Sequence, residues 1–255
     1  MGNIYAVTNQ KGGVGKTTTT VNLAASLAEN AKKILLIDLD PQGNATTGCG
    51  IDKATLEKSS YDLLMGEASA AEVIVKRDDF SFDVIPTNSD LTAAEIELLD
   101  EEQREQRLRL ALEPIRVDYD YILIDCPPSL SMLTLNALVA YKGVIIPIQC
   151  EYYALEGLSS LLKTVERIKQ RANSALEITG LIRTMFDARN NLANQVSRQL
   201  INHFEKKVFN TIVPRNVRLA EAPSHGIPVV SYDRSSRGSI AYMALAGEFM
   251  RREKS

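Results

Sequence analysis

The stretch Lys11-Gly12-Gly13-Val14-Gly15-Lys16-Thr17-Thr18 holds the residue types that phosphate chemistry needs, at a usable spacing. Glycines at 12, 13 and 15 let backbone N–H groups approach an anion closely. A helix beginning just after them would aim its N-terminus at the same point. Lys16 can reach the β- and γ-phosphates of a bound nucleotide, and the Thr17 hydroxyl can ligate Mg²⁺. A polyphosphate nucleotide is the guest these residues fit. The match to G-x-x-x-x-G-K-[ST] is incomplete, because Gln10 stands in the place of the first glycine and an additional lysine, Lys11, opens the loop.

Two further clusters end apolar runs. Asp125 follows Tyr121-Ile122-Leu123-Ile124 and leads into Cys126-Pro127-Pro128-Ser129, the layout of a strand-end carboxylate able to hold Mg²⁺ opposite Thr17. The two prolines restrict that loop to a few defined states. Cys126 reads as a buried filler, not a nucleophile. The segment Asp38-Leu39-Asp40-Pro41-Gln42 offers two carboxylates at the end of another run. One can support the metal while the other approaches the γ-phosphate and orients the attacking water, which with charge neutralisation is most of what phosphoryl transfer requires.

The elements that must position these groups are legible as continuous apolar runs at 33–38, 82–86, 121–125, 143–148, 178–182 and 208–213. Runs without alternation indicate a sheet covered on both faces. Helix-like segments lie between them, among them 17–30, 155–171 and 192–206. The alternation predicts an α/β fold with a doubly wound, mostly parallel β-sheet flanked by helices, forming a single domain over 1–255 that carries the glycine loop as a P-loop. Residues 90–116 read as an acidic-then-basic helical pair forming a solvated face.

At 255 residues and 45% hydrophobic, the chain can bury a substantial core. Net charge is −3, but residues 181–255 hold twelve Lys/Arg against six Asp/Glu, leaving seventeen against twenty-six in the rest. This asymmetry sets the expectation of a polyanion partner on one face. Cys49, Cys126 and Cys150 show no C-x-x-C spacing, and an odd number fits a reducing cytoplasm. No signal peptide or membrane-length apolar stretch is evident. His203 and His225 are isolated in sequence, so Mg²⁺ is the only metal expected.

The loop at 11–17 resembles the deviant Walker A box, [KR]-G-G-x-G-K-[ST], of the MinD/ParA/nitrogenase-iron-protein group of ATPases. The blocks N-Q-K-G-G-V-G-K-T-T, D-L-D-P-Q-G-N-A-T, Y-D-Y-I-L-I-D-C-P-P-S, Q-C-E-Y-Y-A-L-E-G and V-P-R-N-V-R-L-A-E-A-P-S-H-G occur in order along the chain. Together they resemble the ParA/Soj proteins of chromosome and plasmid partitioning, closest to the short, Soj-like members. The start of the loop so near residue 1 sets the expectation of DNA binding without operator specificity.

The resemblance implies an ATP- and Mg²⁺-dependent switch. ATP-bound protomers pair face to face, with Lys11 reaching the partner's nucleotide. The homodimer binds double-stranded DNA non-specifically, and a ParB-type centromere-binding protein accelerates an otherwise slow hydrolysis that releases it. Nucleotide contacts fall on residues 11–18, namely Lys11, Gly12, Gly13, Val14, Gly15, Lys16, Thr17 and Thr18, with Pro214 and Asn216 at the adenine. Asp40 positions water, and Lys11 and Lys16 act with it. Thr17, Asp38 and Asp125 form the metal side. Arg189 and Arg218 match the family's DNA-binding arginines, with Arg215, Lys206 and Lys207 as weaker candidates. Glu151, Tyr152, Tyr153 and Glu156 are expected near the dimer face. A cytoplasmic, nucleoid-associated protein follows, with no membrane partner. The MinD alternative needs an amphipathic membrane-binding tail at 239–255, whose apolar residues instead read as packing on the sheet. An iron–sulfur role needs suitably placed thiolates, and the flanks of Cys126 and Cys150 resemble the partitioning branch.

Overall fold

A computed structural model describes residues 2–77, 80–140 and 142–254. Seven strands form one sheet: β1 (Asn3–Val7), β2 (Ile34–Asp38), β3 (Asp83–Ile85), β4 (Tyr121–Asp125), β5 (Gly143–Gln149), β6 (Glu177–Phe186) and β7 (Val208–Pro214). Their order is β3-β2-β4-β1-β5-β6-β7, and every pairing within the sheet is parallel. The sheet is thus parallel throughout and not merely in the main.

Both faces are covered, as continuous apolar strands demand. Alternate residues point to opposite sides, so Ile4, Ala6, Leu35, Ile37, Ile122 and Ile124 join one core, while Tyr5, Val7, Ile34, Leu36 and Leu123 join the other. Twelve helices among the described residues cover these faces. Those that matter for the site are α1 (Lys16–Ala28), α2 (Asn44–Gly48) and, numbered on from α3 (Ser60–Met65) and α4 (Ala70–Val73), the pair α5 (Leu91–Glu97) and α6 (Arg107–Leu112). They are followed by α7 (Met132–Ala140), α8 (Ala154–Arg171), α9 (Asn191–Phe204), α10 (Val217–Glu221), α11 (Val229–Tyr232) and α12 (Arg237–Arg252).

The 90–116 segment departs from its expected role. Leu91, Ala94, Leu108 and Leu112, with Leu98 in the 3-10 turn after α5, are buried in the first core, so α5 and α6 roof one face of the sheet. Their solvated side is only half of what they do. The tail behaves as its apolar residues suggest: Tyr242, Leu245, Ala246 and Phe249 of α12 are buried, with Phe249 edge-on to Tyr5 at 5.0 Å and to Tyr121 at 5.3 Å. That apolar side is spent on the sheet except at Ile240, which is 58% exposed (Ser255 lies outside the described residues). Among the described residues no helix is long and apolar enough to cross a membrane.

The strand order also places the site. From β1 the chain crosses to β2, beyond β4, whereas from β4 it crosses back over β1 to β5. Crossovers leaving adjacent strands in opposite directions open a crevice at their carboxyl ends, where ligands of open α/β sheets bind.

Candidate active site

The loop after β1 is built to hold its backbone open. Gly13 and Gly15 have φ of 71° and 84°, a region that favours glycine. A Cβ at Gly12 or Gly13 would meet nothing within 4 Å, so nothing of this chain fills the space before them. Asn9 ties the loop to its neighbours by accepting the Lys11 N–H (3.0 Å) and donating to the Pro147 carbonyl (2.8 Å). The Thr184 hydroxyl holds the far side through the Val14 carbonyl at 2.8 Å. Helix α1 starts after Gly15 with no side-chain cap, leaving its first N–H groups for an anion.

The two lysines of the loop face different ways. Lys16 is buried, its Nζ 3.4 Å from the Lys11 carbonyl, and burial pulls its pKa down while Asp125 and Asp40 pull it back. Lys11 is partly exposed, with Nζ 2.7 Å from Glu151 Oε2 just after β5. Glu151 Oε1 accepts from Gln149 Nε2 at 2.6 Å. Beside this pair Tyr152 and Tyr153 are 73% and 67% exposed, a large aromatic surface open to solvent.

Asp125 closes the inner side. Its Oδ2 accepts from the Thr17 hydroxyl at 2.7 Å and its Oδ1 from the Thr20 hydroxyl at 3.1 Å. Burial first, and then the charge of Asp38, raise its pKa despite those two bonds. A hydroxyl and an under-compensated carboxylate meeting at the mouth of a glycine loop form an all-oxygen donor set that suits Mg²⁺. Among the described residues no three His, Cys, Asp or Glu side chains gather as a metal cage.

Asp38 pairs in register with Asp125 across β2 and β4, but its oxygens face elsewhere. Oδ2 accepts from the Thr46 N–H (2.7 Å) and hydroxyl (2.8 Å), and Oδ1 from the Asp40 N–H (3.1 Å). Burial raises its pKa against these three bonds. Asp40 is buried too, and its Oδ1 caps the Gln42 N–H at 3.0 Å. The thiols are shut away: Cys126 and Cys150 are 1% and 4% exposed, and burial pushes Cys126 well up and Cys150 up to about 11. Neither is presented as a surface thiolate for a cluster shared between subunits.

Comparison with known proteins agrees with this geometry. The family model described as "AAA domain" matches residues 2–178. The sporulation initiation inhibitor protein Soj of Bacillus subtilis is 54% identical over 97% of this chain and 98% of its own. The chromosome partitioning protein ParA of Myxococcus xanthus is 50% identical over 99% of this chain and 89% of its own. The chain belongs to the ParA/Soj family of partitioning ATPases. A crystal structure of cobyrinic acid a,c-diamide synthase from Mycobacterium smegmatis, with bound ATP analogue and magnesium, superposes with a TM-score of 0.88 at 36% identity. It covers all of this chain and 97% of its own. One fold hosts several chemistries, and the higher identity lies with the partitioning proteins.

For a ParA/Soj member the remaining expected residues divide. Pro214 ends β7 and, with Phe186, Asp187, Arg189, Arg215 and Arg237, lines a cleft of about 430 Å³. Asn216 accepts the Arg218 N–H on its side-chain oxygen (3.1 Å), capping α10, which leaves its Nδ2 and the oxygen's second lone pair for a base edge. Arg189 is exposed and bidentate to Asp187, at 3.0 and 2.9 Å, which holds that carboxyl at about 2. Arg218 pairs with Glu221 at 2.8 Å and Asp233 at 3.3 Å. Both arginines therefore carry their own counter-charge. Thr20, Thr46 and Glu151's grip on Lys11 were not foreseen. Thr20 lies three residues beyond Thr17 on one helix face, a spacing that could have exposed it.

Proposed function

We propose that this partitioning ATPase is a nucleotide-gated DNA clamp: ATP and Mg²⁺ drive face-to-face homodimerisation, only the dimer grips duplex DNA, and hydrolysis ends the grip. The observation that carries the reading is the division between the two lysines. Lys16 is sunk behind the loop, where it serves this chain's own nucleotide, while Lys11 stands on the exposed side among Glu151, Tyr152 and Tyr153. Two facing polyphosphates repel each other, so a cation supplied across the interface makes pairing depend on bound nucleotide.

In this reading residues 11–18 cradle the phosphates and Pro214 and Asn216 border the base. Thr17 and Asp125 hold Mg²⁺, with Asp38 behind them, and the ion when bound neutralises charge developing on the phosphate oxygens. Asp40, at the end of the β2 loop, orients the attacking water in line. Lys16, and Lys11 from the partner, neutralise the transferred group. DNA contacts fall on phosphates, through Arg189 and Arg218 with help from Arg215, Lys206 and Lys207, which gives affinity without sequence preference. That binding would place the protein on the nucleoid. A ParB-type centromere-binding protein supplies the stimulus for turnover.

Phosphate release measured with ATP alone, with random-sequence duplex, and with duplex plus a ParB-type protein tests the reading. A slow basal rate raised at least tenfold only in the last mixture is expected. A fast rate indifferent to both additions contradicts it.

A further inference from the structure

The loop that carries Asp40 is pinned at the last residue of the D-L-D-P-Q-G-N-A-T block, a threonine to which the sequence reading gave no role. Thr46, the third residue of α2, is fully buried, as are Asp38 and Thr87. Its N–H and hydroxyl together make three hydrogen bonds from one position. Its N–H donates to Asp38 Oδ2 at 2.7 Å, its hydroxyl donates to the same oxygen at 2.8 Å, and that hydroxyl accepts the Thr87 N–H at 2.9 Å. Asp38 in turn receives the Asp40 N–H at 3.1 Å. The hydroxyl therefore ties the end of β2, the start of α2 and the stretch after β3 into one buried node, two bonds from Asp40.

The node has no substitute for that hydroxyl. Without it the buried Thr87 N–H loses the partner recorded for it, and Asp38 keeps one fewer donor for a carboxylate sealed from water. Leaving buried polar groups unsatisfied is costly, and a chain relieves the cost by moving. What moves is the 39–46 loop beyond its anchor at Leu39, whose N–H donates to the Asp125 carbonyl at 3.0 Å. The rest is held by the Gly43 N–H on the Asp40 carbonyl (2.7 Å), the Gln42 N–H on Asp40 Oδ1 and Lys53 Nζ on the Gln42 carbonyl at 2.7 Å. In-line attack tolerates little displacement of the water-orienting group: about 1 Å can cost ~100-fold. Among the described residues no hydrogen bond joins the Asp38–Thr46–Thr87 node to the nucleotide cradle at 11–18, which should hold ATP as before.

We propose that Thr46 is a positioning residue for hydrolysis, acting through Asp38 to set where Asp40 stands. The inference rests on the ATPase reading of this site. Its test compares Thr46→Val, which keeps volume and loses the hydroxyl, with Thr46→Ser, which keeps the hydroxyl. Both are measured as full chains for stimulated phosphate release and for affinity toward a fluorescent ATP analogue with Mg²⁺. The expected result is kcat at least tenfold lower in Thr46→Val with affinity changed less than about threefold, and kcat restored to within about threefold in Thr46→Ser. If Thr46→Val does not fold, Thr46→Cys, of similar volume and a poor donor, takes its place.

Normal kcat in the hydroxyl-free variant overturns the proposal, as does a Ser variant no better than it. Equal loss of affinity and turnover also overturns it, since that marks a residue that merely builds the site. An unaltered chain that turns over no ATP would instead sink the ATPase reading, so the two failures are separable.

Discussion

Lys11 and Glu151 meet across the mouth of the site, Nζ to Oε2 at 2.7 Å, although one follows β1 and the other follows β5. A lysine that must reach a partner's nucleotide first has to leave this carboxylate. Both groups are partly exposed, and such pairs are worth about 0.2–1 kcal/mol. Glu151→Gln should therefore strengthen ATP-dependent self-association, by no more than about fivefold, as read by sedimentation velocity over a protein dilution series. Weaker association in the variant would mean that Glu151 works across the interface instead.

Gly12 separates folding from assembly. Within one chain a Cβ there would meet nothing within 4 Å. Gly12→Val should keep the melting temperature of the free chain within about 2 °C and keep binding of monomeric nucleotide, yet abolish the ATP-dependent dimer. Loss of stability without nucleotide would show that the space is not open.

Asp125 gives a pH dependence with a definite sign. Burial and the charge of Asp38 hold its folded pKa above the unfolded value of about 3.9. Its contribution to stability is thus fully present below about pH 4 and is lost as pH rises through the folded value. Asp125→Asn removes that loss. At pH 8 without nucleotide the variant should melt higher, by about 2–4 °C per kcal/mol recovered, while Mg²⁺-dependent stabilisation by nucleotide disappears. A lower melting temperature in the empty variant contradicts this account of the carboxylate.

The paired arginines make a two-sided prediction for DNA. Arg189→Glu with Arg218→Glu should abolish retention on duplex without changing nucleotide affinity. Asp187→Asn and Glu221→Gln remove the counter-charges at 2.9 and 2.8 Å and should strengthen binding, most visibly at low salt. Filter binding across a salt series reads both. Unchanged retention in the double reversal would leave residues 181–255 as an ordinary basic surface.

The parts of the site written as backbone chemistry were legible in the sequence. Glycines at 12, 13 and 15, the lysine and threonine after them, and acids ending apolar runs each announce a geometry, and the strands of 121–125 and 143–148 appear where continuous apolar residues required them. What escaped depends on contacts distant in sequence. Glu151 meets Lys11 across 140 positions, and Thr46 meets Thr87 across 41. Neither residue's neighbours encode its partner. Residues 90–116 misled because their buried leucines are split between two short helices and a 3-10 turn between them, so no period runs long enough to reveal the inward face.

The central claim is that nucleotide makes the pair and the pair holds DNA. Asp40→Ala, which should bind ATP without hydrolysing it, examines both halves at once by light scattering after gel filtration, with and without ATP, Mg²⁺ and duplex. The account predicts twice the 28.1 kDa of one chain only when ATP is present, and co-elution with DNA only in that state. A variant that stays at the mass of one chain when loaded with ATP, or that carries DNA equally well when empty, would contradict it.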